Sequence, residues 1–159
     1  MDYITLKWLH VLSSTVLFGT GIGSAFYLLF TTFSRDVRAI ASVTRTVVVA
    51  DWLFTSTTAV LQPLTGLWMM HIAGMPWRMP WIAWSLGLYA FAIACWLPVV
   101  WIQLRLRDHS GAAAAAGSAL PPVFWRLFIA WVVLGALAFV AFLLIFYLMV
   151  AKRLPWAAA

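Results

Sequence analysis

Two histidines are the residues of this chain best suited to chemistry, because both lie close to the ends of long apolar runs. His10 is near the start of the first run and His71 is near the end of the second. If the two runs form antiparallel helices, the imidazoles lie at the same end and differ in depth by about 6 Å. Imidazoles on facing helices are the minimal axial ligand set for haem iron. The pattern therefore predicts a haem b site.

In the predicted haem pocket, the iron ligands come from the first two helices, and the other pocket residues come from the first helix. His10 and His71 are the candidate metal ligands, and Ser14 and Gly21 share the His10 face of the first helix. Two alternatives stay open: His71 could be an interfacial residue, and His10 could be satisfied by a hydrogen bond to a neighbouring serine or threonine.

A second polar pattern occupies one face of the second apolar run. Its members recur at spacings of four, three, four and three: Asp51, Thr55, Thr58, Gln62 and Thr65. An unpaired carboxylate at membrane depth is costly, so we expect Asp51 to pair with Arg45, Arg105 or Arg126. A proton-relay role for Asp51 is the alternative. Pro63 removes one backbone donor and predicts a kink that frees the Ala59 carbonyl.

Small residues mark two further faces that we interpret as helix-packing surfaces. Gly19 and Gly23 form a small-xxx-small pair in the first run, which lets another helix, or a flat ligand, approach the backbone closely. Trp131, Gly135 and Ala138 share a face of the last run. Packing within the bundle is the simplest interpretation of both.

The elements that must position these residues are four apolar runs at about residues 6–30, 47–72, 80–103 and 125–151. A hydrocarbon core about 30 Å thick is crossed by roughly 20 apolar residues of helix. Backbone amides cannot stay unpaired in lipid, so each run must be helical. The fold class predicted is an all-α membrane protein, a four-transmembrane-helix antiparallel bundle forming one domain over residues 1–159. We expect residues 34–46 to be a surface loop and residues 110–122 a flexible Ala/Gly linker.

Composition and charge place the chain in the bilayer and exclude several functions. Hydrophobic residues make up 65% of the chain, the mean hydropathy is +1.00 and the net charge is +6. The ten basic residues lie in loops and helix ends, so they predict orientation rather than nucleic-acid binding. Six of them flank the first and third loops, which favours periplasmic termini in a bacterial inner membrane. No P-loop, metal-binding cysteine cluster or HExxH motif is present.

Short motifs give the chain a family resemblance. Lys7-Trp-Leu-His10, the glycine-rich run 19–23 and the run Thr57–Trp68, which ends in Gly-Leu-Trp, resemble the bacterial integral membrane proteins of domain of unknown function 2269. More distantly, the pattern is similar to membrane protoporphyrinogen oxidases and copper-resistance membrane domains. The resemblance to the oxidases implies a haem-related role for His10. The chain lacks a clear counterpart to the basic residue and histidine of the oxidases' third helix.

Three functional hypotheses follow from the sequence. The first is a b-type haem or porphyrin-binding protein in electron transfer or porphyrin oxidation. The second is a non-catalytic subunit or scaffold that assembles with itself or with a membrane partner protein through its small-residue faces. The third is a small transporter or channel component. All three place the chain in contact with the lipid bilayer.

Overall fold

The structure, a computed structural model, describes residues 2–156, and most of these residues are helical. The helices are α1 (Tyr3–Phe33), α2 (Val37–Ala50), α3 (Ser56–Ile72), α4 (Pro80–Ala116) and α5 (Pro122–Ala151). A π-helical turn, Asp51–Thr55, joins α2 to α3, so that one continuous helix runs over Val37–Ile72. Four helices are long and apolar enough to cross a membrane, which confirms the predicted four-helix membrane fold.

The four long helices follow one another around the bundle. Helix α1 packs along α2 and α3, α2 packs on α4, and α4 packs along α5. Helices α1 and α5, which would close the ring, meet at only a few positions. The bundle is therefore complete on three sides and loosely closed on the fourth.

The first predicted loop, residues 34–46, is wrong, because most of it is helix. Asp36 caps the start of α2 by accepting hydrogen bonds from the backbone amides of Arg38 (2.9 Å) and Ala39 (3.2 Å). From Val37 onward, buried residues recur at helical spacing while the arginines point outward: the buried ones are Ile40, Thr44, Val47 and Val48. An N-cap followed by an amphipathic repeat starts a helix despite the polar composition.

The predicted flexible linker, residues 110–122, is also wrong over most of its length. Helix α4 continues to Ala116 and ends at Gly117, whose φ of 62° supplies the left-handed cap. Alanine has the highest helix propensity, so the alanine run extends the helix rather than breaking it. Ser110 is fully buried and its hydroxyl lies 2.9 Å from that of Thr44 on α2. Only a short connection leads from Gly117 to α5.

The extended parts of α2 and α4 build a cluster of large side chains with the start of α5. We call this cluster the packed end; its buried members are Leu28, Ile40, Val47, Val99, Ile102, Leu106, Phe124, Phe128 and Trp131. The rings of Phe124, Phe128 and Trp131 stack in sequence with centroids about 6 Å apart. The packed end fixes the relative positions of α1, α2, α4 and α5 next to the site described below.

Candidate functional site

A cavity of about 390 Å³ lies between α1, the π-helical turn, α4 and α5, directly beside the packed end. Most of its wall is apolar, and small residues from three helices leave the space open, among them Gly21, Ala92 and Gly135. The side chains with polar atoms in the wall are Asp51 and Thr55 from the π-helical turn, Trp96 and Gln103 from α4, Ser24 from α1 and Trp131 from α5. A volume in this range suits a small molecule.

The π-helical turn determines which polar groups face the cavity. In this turn the Ser56 amide bonds back to the Asp51 carbonyl, five residues earlier, so one extra residue is inserted into the helix. Both ends of the turn, Asp51 and Thr55, are buried and line the cavity, whereas Trp52, Leu53 and Phe54 are exposed on the outer surface. Single π-helical turns of this kind occur often at functional sites.

Asp51 has no basic partner in the structure. Its Oδ1 accepts a long hydrogen bond, 3.4 Å, from the Trp96 indole Nε1. Within residues 2–156, neither its second oxygen, Oδ2, nor the Thr55 hydroxyl makes a hydrogen bond of normal geometry, and the two groups are neighbours in the cavity wall. Asp51 is only 5% exposed, and its position is the middle of the Val37–Ile72 helix rather than one turn inside its end.

The expected ion pair between Asp51 and an arginine is therefore wrong. Arg45 and Arg126 are exposed, and Arg105 lies over the exposed ring of Trp101, 5.4 Å from its centroid. The ion pair found in the described residues joins Arg107 to its neighbour Asp108 at 2.8 Å and does not involve Asp51. Arg45 precedes Asp51 by six residues, which is about 9 Å along the helix axis, so it stays outside the site.

His10 belongs to a separate hydrogen-bond network between α1 and α3. Its Nδ1 lies 2.8 Å from the Thr65 hydroxyl. The Gln62 amide donates to the His10 carbonyl and to the Ser13 hydroxyl, both at 2.8 Å. Gly66 allows this approach, because a Cβ at that position would lie 3.2 Å from the His10 Cε1. The network ties the start of α1 to the second half of α3.

The predicted haem pocket residues are not brought together. His71 follows Thr65 by six residues, which turns it about 240° around α3, and its side chain is exposed. The Ser14 hydroxyl donates to the carbonyl of Val11 in its own helix. Gly21 lines the cavity, on a different part of the bundle from the His10 network. Among residues 2–156, no group of three or more His, Cys, Asp or Glu side chains is placed to hold a metal ion.

The structure does not use the two small-residue faces as close packing surfaces, as the sequence had suggested. A Cβ added at Gly19, Gly23 or Gly135 would meet no atom within 4 Å. Gly135 and Ala138 line the cavity instead of contacting a neighbouring helix closely.

The structure buries all five residues of the polar face on α3 and the π-helical turn, from Asp51 to Thr65.

Three residues of the site and its surroundings were missed by sequence reasoning. Trp96 and Gln103 are seven residues apart on α4 and share a face, a spacing that would have identified them. Tyr89 donates a hydrogen bond to the Ala59 carbonyl, the group that Pro63 leaves without its helical donor. No local signal pairs Tyr89 with Ala59, because the contact depends on how α4 packs.

Comparison with known proteins gives one family. A family described as predicted integral membrane protein (DUF2269) matches residues 4–153. No curated protein and no solved structure matches the chain. The more distant likeness to protoporphyrinogen oxidases and copper-resistance domains stays an expectation from the sequence. With four membrane-spanning helices and a match over almost its whole length, the chain belongs to the DUF2269 family of integral membrane proteins.

Proposed function

We propose that the protein binds a small amphiphile inside the bilayer, with the polar head of the ligand at Asp51 and Thr55 and its apolar part in the cavity. The observation that carries this proposal is the unpaired Asp51 Oδ2 in the wall of a cavity of about 390 Å³. A buried polar atom without a partner costs about 1–3 kcal/mol, so a chain keeps one where function requires it.

The chemistry of the wall defines the ligand class. A cation bound beside the Asp51 carboxyl favours its ionised form, which accepts hydrogen bonds and interacts most strongly where water is excluded. Its partner is therefore an amine or a hydroxyl rather than an anion. The remaining wall is formed mainly by leucine, phenylalanine, valine, alanine and glycine, which match an alkyl or ring system. Gln103, which is also buried in the wall, offers both a donor and an acceptor for orientation.

The test uses a ligand whose bromine quenches tryptophan fluorescence. The protein is placed in phosphatidylcholine nanodiscs and titrated with ω-bromoundecylamine. Because the chain has 11 tryptophans, the cavity signal is taken as the difference between the wild type and Trp131→Phe, which removes an indole of the wall. We expect saturable quenching of this component, superimposed on linear quenching by amine dissolved in the lipid.

Two variants define the result. Asp51→Asn removes the charge and is expected to weaken the saturable phase at least tenfold, since hydrogen bonds to charged groups contribute about 1.5–3 kcal/mol. Asp108→Asn removes an exposed carboxylate from α4 and is expected to leave the phase unchanged. Quenching that is linear in the wild type, or equal in Asp51→Asn, contradicts the proposal.

Haem binding through His10 is a second candidate function, favoured by one hydrogen bond. The Thr65 hydroxyl donates its single proton to the Leu61 carbonyl at 2.7 Å, so it accepts from the His10 Nδ1–H at 2.8 Å. This tautomer leaves a lone pair on Nε2, the arrangement in which imidazole binds a metal. His10 is the single axial ligand that these residues could supply, because His71 faces away from it. Haem would supply redox chemistry at this position.

Spectroscopy separates the haem proposal from the amphiphile proposal. Protein expressed with haem supplementation should show a Soret band that His10→Ala abolishes and that His71→Ala and His109→Ala retain. A colourless wild-type preparation that fails to bind added haemin contradicts it. Loss of the band in His71→Ala would restore the two-histidine arrangement expected from the sequence.

We infer that the chain lies in a bacterial inner membrane with its termini in the periplasm. Arg35, Arg38, Arg45, Arg105, Arg107 and Arg126 all lie at the end of the bundle that carries the packed end. Arginine-rich loops stay in the cytoplasm. Reporter fusions after Ser34 and after Gly74 test this orientation, and an active cytoplasmic reporter at Gly74 would reverse it.

A further inference from the structure

We propose that the cavity is filled from the bilayer, through an opening between α1 and α5, by an amphiphile dissolved in the membrane. The inference rests on the proposed function, because it uses the same cavity and places the head of the ligand at the same Asp51. It adds the route of entry, and it restricts the ligand to molecules that partition into lipid.

The opening is bounded at one end by a contact between α1 and α5 and at the other end by the packed end. Towards the end that carries the chain termini, the Phe18 ring stacks on Phe139 at 5.6 Å and meets Phe146 edge-on at 4.9 Å. Towards the other end, Leu28 and Trp131 belong to the packed end. From Phe18 to Leu28 the axis of α1 advances about 15 Å, which is the height of the opening.

Between these two contacts, small residues face each other across the gap. Gly21 on α1 and Gly135 and Ala136 on α5 line the cavity, and all three are exposed. A Cβ built on either glycine meets no atom within 4 Å. Ile22 and Phe26 are likewise exposed and in the wall, so the interior of the cavity is continuous with the lipid-facing surface.

The unpaired polar groups identify the occupant as a small amphiphile rather than a helix of a partner. Asp51 and Thr55 lie on the far side of the cavity, on the helix opposite the opening, and both are more than nine-tenths buried. A transmembrane helix is about 10–12 Å across with its side chains, which is too wide to enter a space of about 390 Å³. An alkyl chain fits the gap, and its head can reach the carboxylate.

The test asks whether lipid chains reach a tryptophan that the bundle buries. Trp131 is only 6% exposed yet lines the cavity. The protein is reconstituted into vesicles of phosphatidylcholine brominated in the middle of one acyl chain, and into unbrominated vesicles. The Trp131 component is again the difference between wild type and Trp131→Phe. We expect this component to be quenched in the brominated vesicles.

Two matched glycine variants locate the entry route. Gly135→Leu places a side chain in the gap, and Gly87→Leu places the same side chain on the outer face of α4; neither glycine has a neighbour within 4 Å of its Cβ position. We expect Gly135→Leu to abolish quenching of Trp131 and Gly87→Leu to retain it. Quenching that is equal in the two variants overturns the opening.

The remaining outcomes separate this inference from the proposed function. An unquenched Trp131 in the wild type overturns the opening, and a dimeric mass in the same vesicles would identify a second copy as its cover. Saturable binding of ω-bromoundecylamine together with an unquenched Trp131 would support the amine site at Asp51 and contradict the opening to the bilayer. Quenching of Trp131 by brominated lipid without saturable amine binding would support the opening and contradict the amine site.

Discussion

The packed end and the cavity are adjacent in the same bundle, but they differ in how polar groups are treated. Next to the packed end, where α2 meets α4, the buried hydroxyls of Thr44 and Ser110 bond to each other at 2.9 Å. In the cavity, Asp51 Oδ2 and the Thr55 hydroxyl have no partner among the described residues. Helices α1, α4 and α5 contribute to both regions, so a general looseness of the fold does not explain the difference. Polar groups are paired where they stabilise the bundle and left unpaired where a ligand can bind.

Side-chain size follows the same division. Stacked aromatic rings fill the space between α4 and α5 in the packed end, whereas glycine and alanine leave a space of about 390 Å³ beside it. Membrane helices associate mainly through close packing, because lipid is as apolar as the helix surface. We conclude that the packed end supplies stability and that the cavity is maintained at some cost to it.

The largest effect is expected from a cavity made in the packed end. Leu106 is fully buried on α4, and Leu97 on the same helix is 60% exposed. Leu106→Ala should lower the free energy of unfolding by about 2–5 kcal/mol, because it removes packed methyl groups. Thermal unfolding in mild detergent measures the loss. An equal effect from Leu97→Ala would show that the packed end has no special role.

The second effect has the opposite sign and tests the cavity directly. Asp51→Leu removes a buried carboxyl whose Oδ2 has no partner among the described residues and whose Oδ1 accepts only the long bond from Trp96, so stability should rise by about 1–3 kcal/mol while amine binding is lost. The two measurements are thermal unfolding and fluorescence titration of the same preparation. A clear loss of stability would mean that Asp51 is paired in the folded protein, as expected from the sequence alone.

A smaller loss is expected where the hydrogen bonds are satisfied. Gln62→Leu removes the bonds to the His10 carbonyl and to Ser13, which should cost about 0.5–2 kcal/mol. The substitution weakens the connection between α1 and α3 and lies outside the cavity, so amine binding should be retained. Loss of binding with unchanged stability would place Gln62 in the ligand site instead.

The smallest effect concerns glycines on the open and closed parts of the helix surfaces. Gly19→Ala should raise stability by up to about 1 kcal/mol, since alanine is the better helix former and nothing lies within 4 Å. Gly66→Ala should not raise stability, because its Cβ would press on the His10 ring. Thermal unfolding compares the two. A loss in Gly19→Ala that depends on protein concentration would favour the scaffold hypothesis and a second copy at this face.

The fold could be predicted further than the site. Apolar runs longer than the bilayer thickness determine four helices, and the spacing of the polar residues places Asp51 and Gln62 on one face of the second. Helix ends were less predictable, because the composition of both segments resembles a loop. The N-cap of Asp36 nevertheless starts α2, and the alanine run before Gly117 extends α4. The cavity depends on a π-helical turn that periodicity of 3.6 does not reveal. It also depends on which helix faces fail to meet, and this is a property of the packing.

The most direct test of the account compares three ligands that share a chain and differ in their head group. ω-Bromoundecylamine, ω-bromoundecanol and ω-bromoundecanoic acid are titrated into wild-type protein and Asp51→Asn in nanodiscs, with the Trp131 component as the signal. An unpaired carboxylate in the cavity predicts that the wild type binds the amine most tightly, the alcohol less tightly and the acid least, and that this order collapses in Asp51→Asn. Equal binding of the three ligands in the wild type, or the same order in both proteins, would contradict the account.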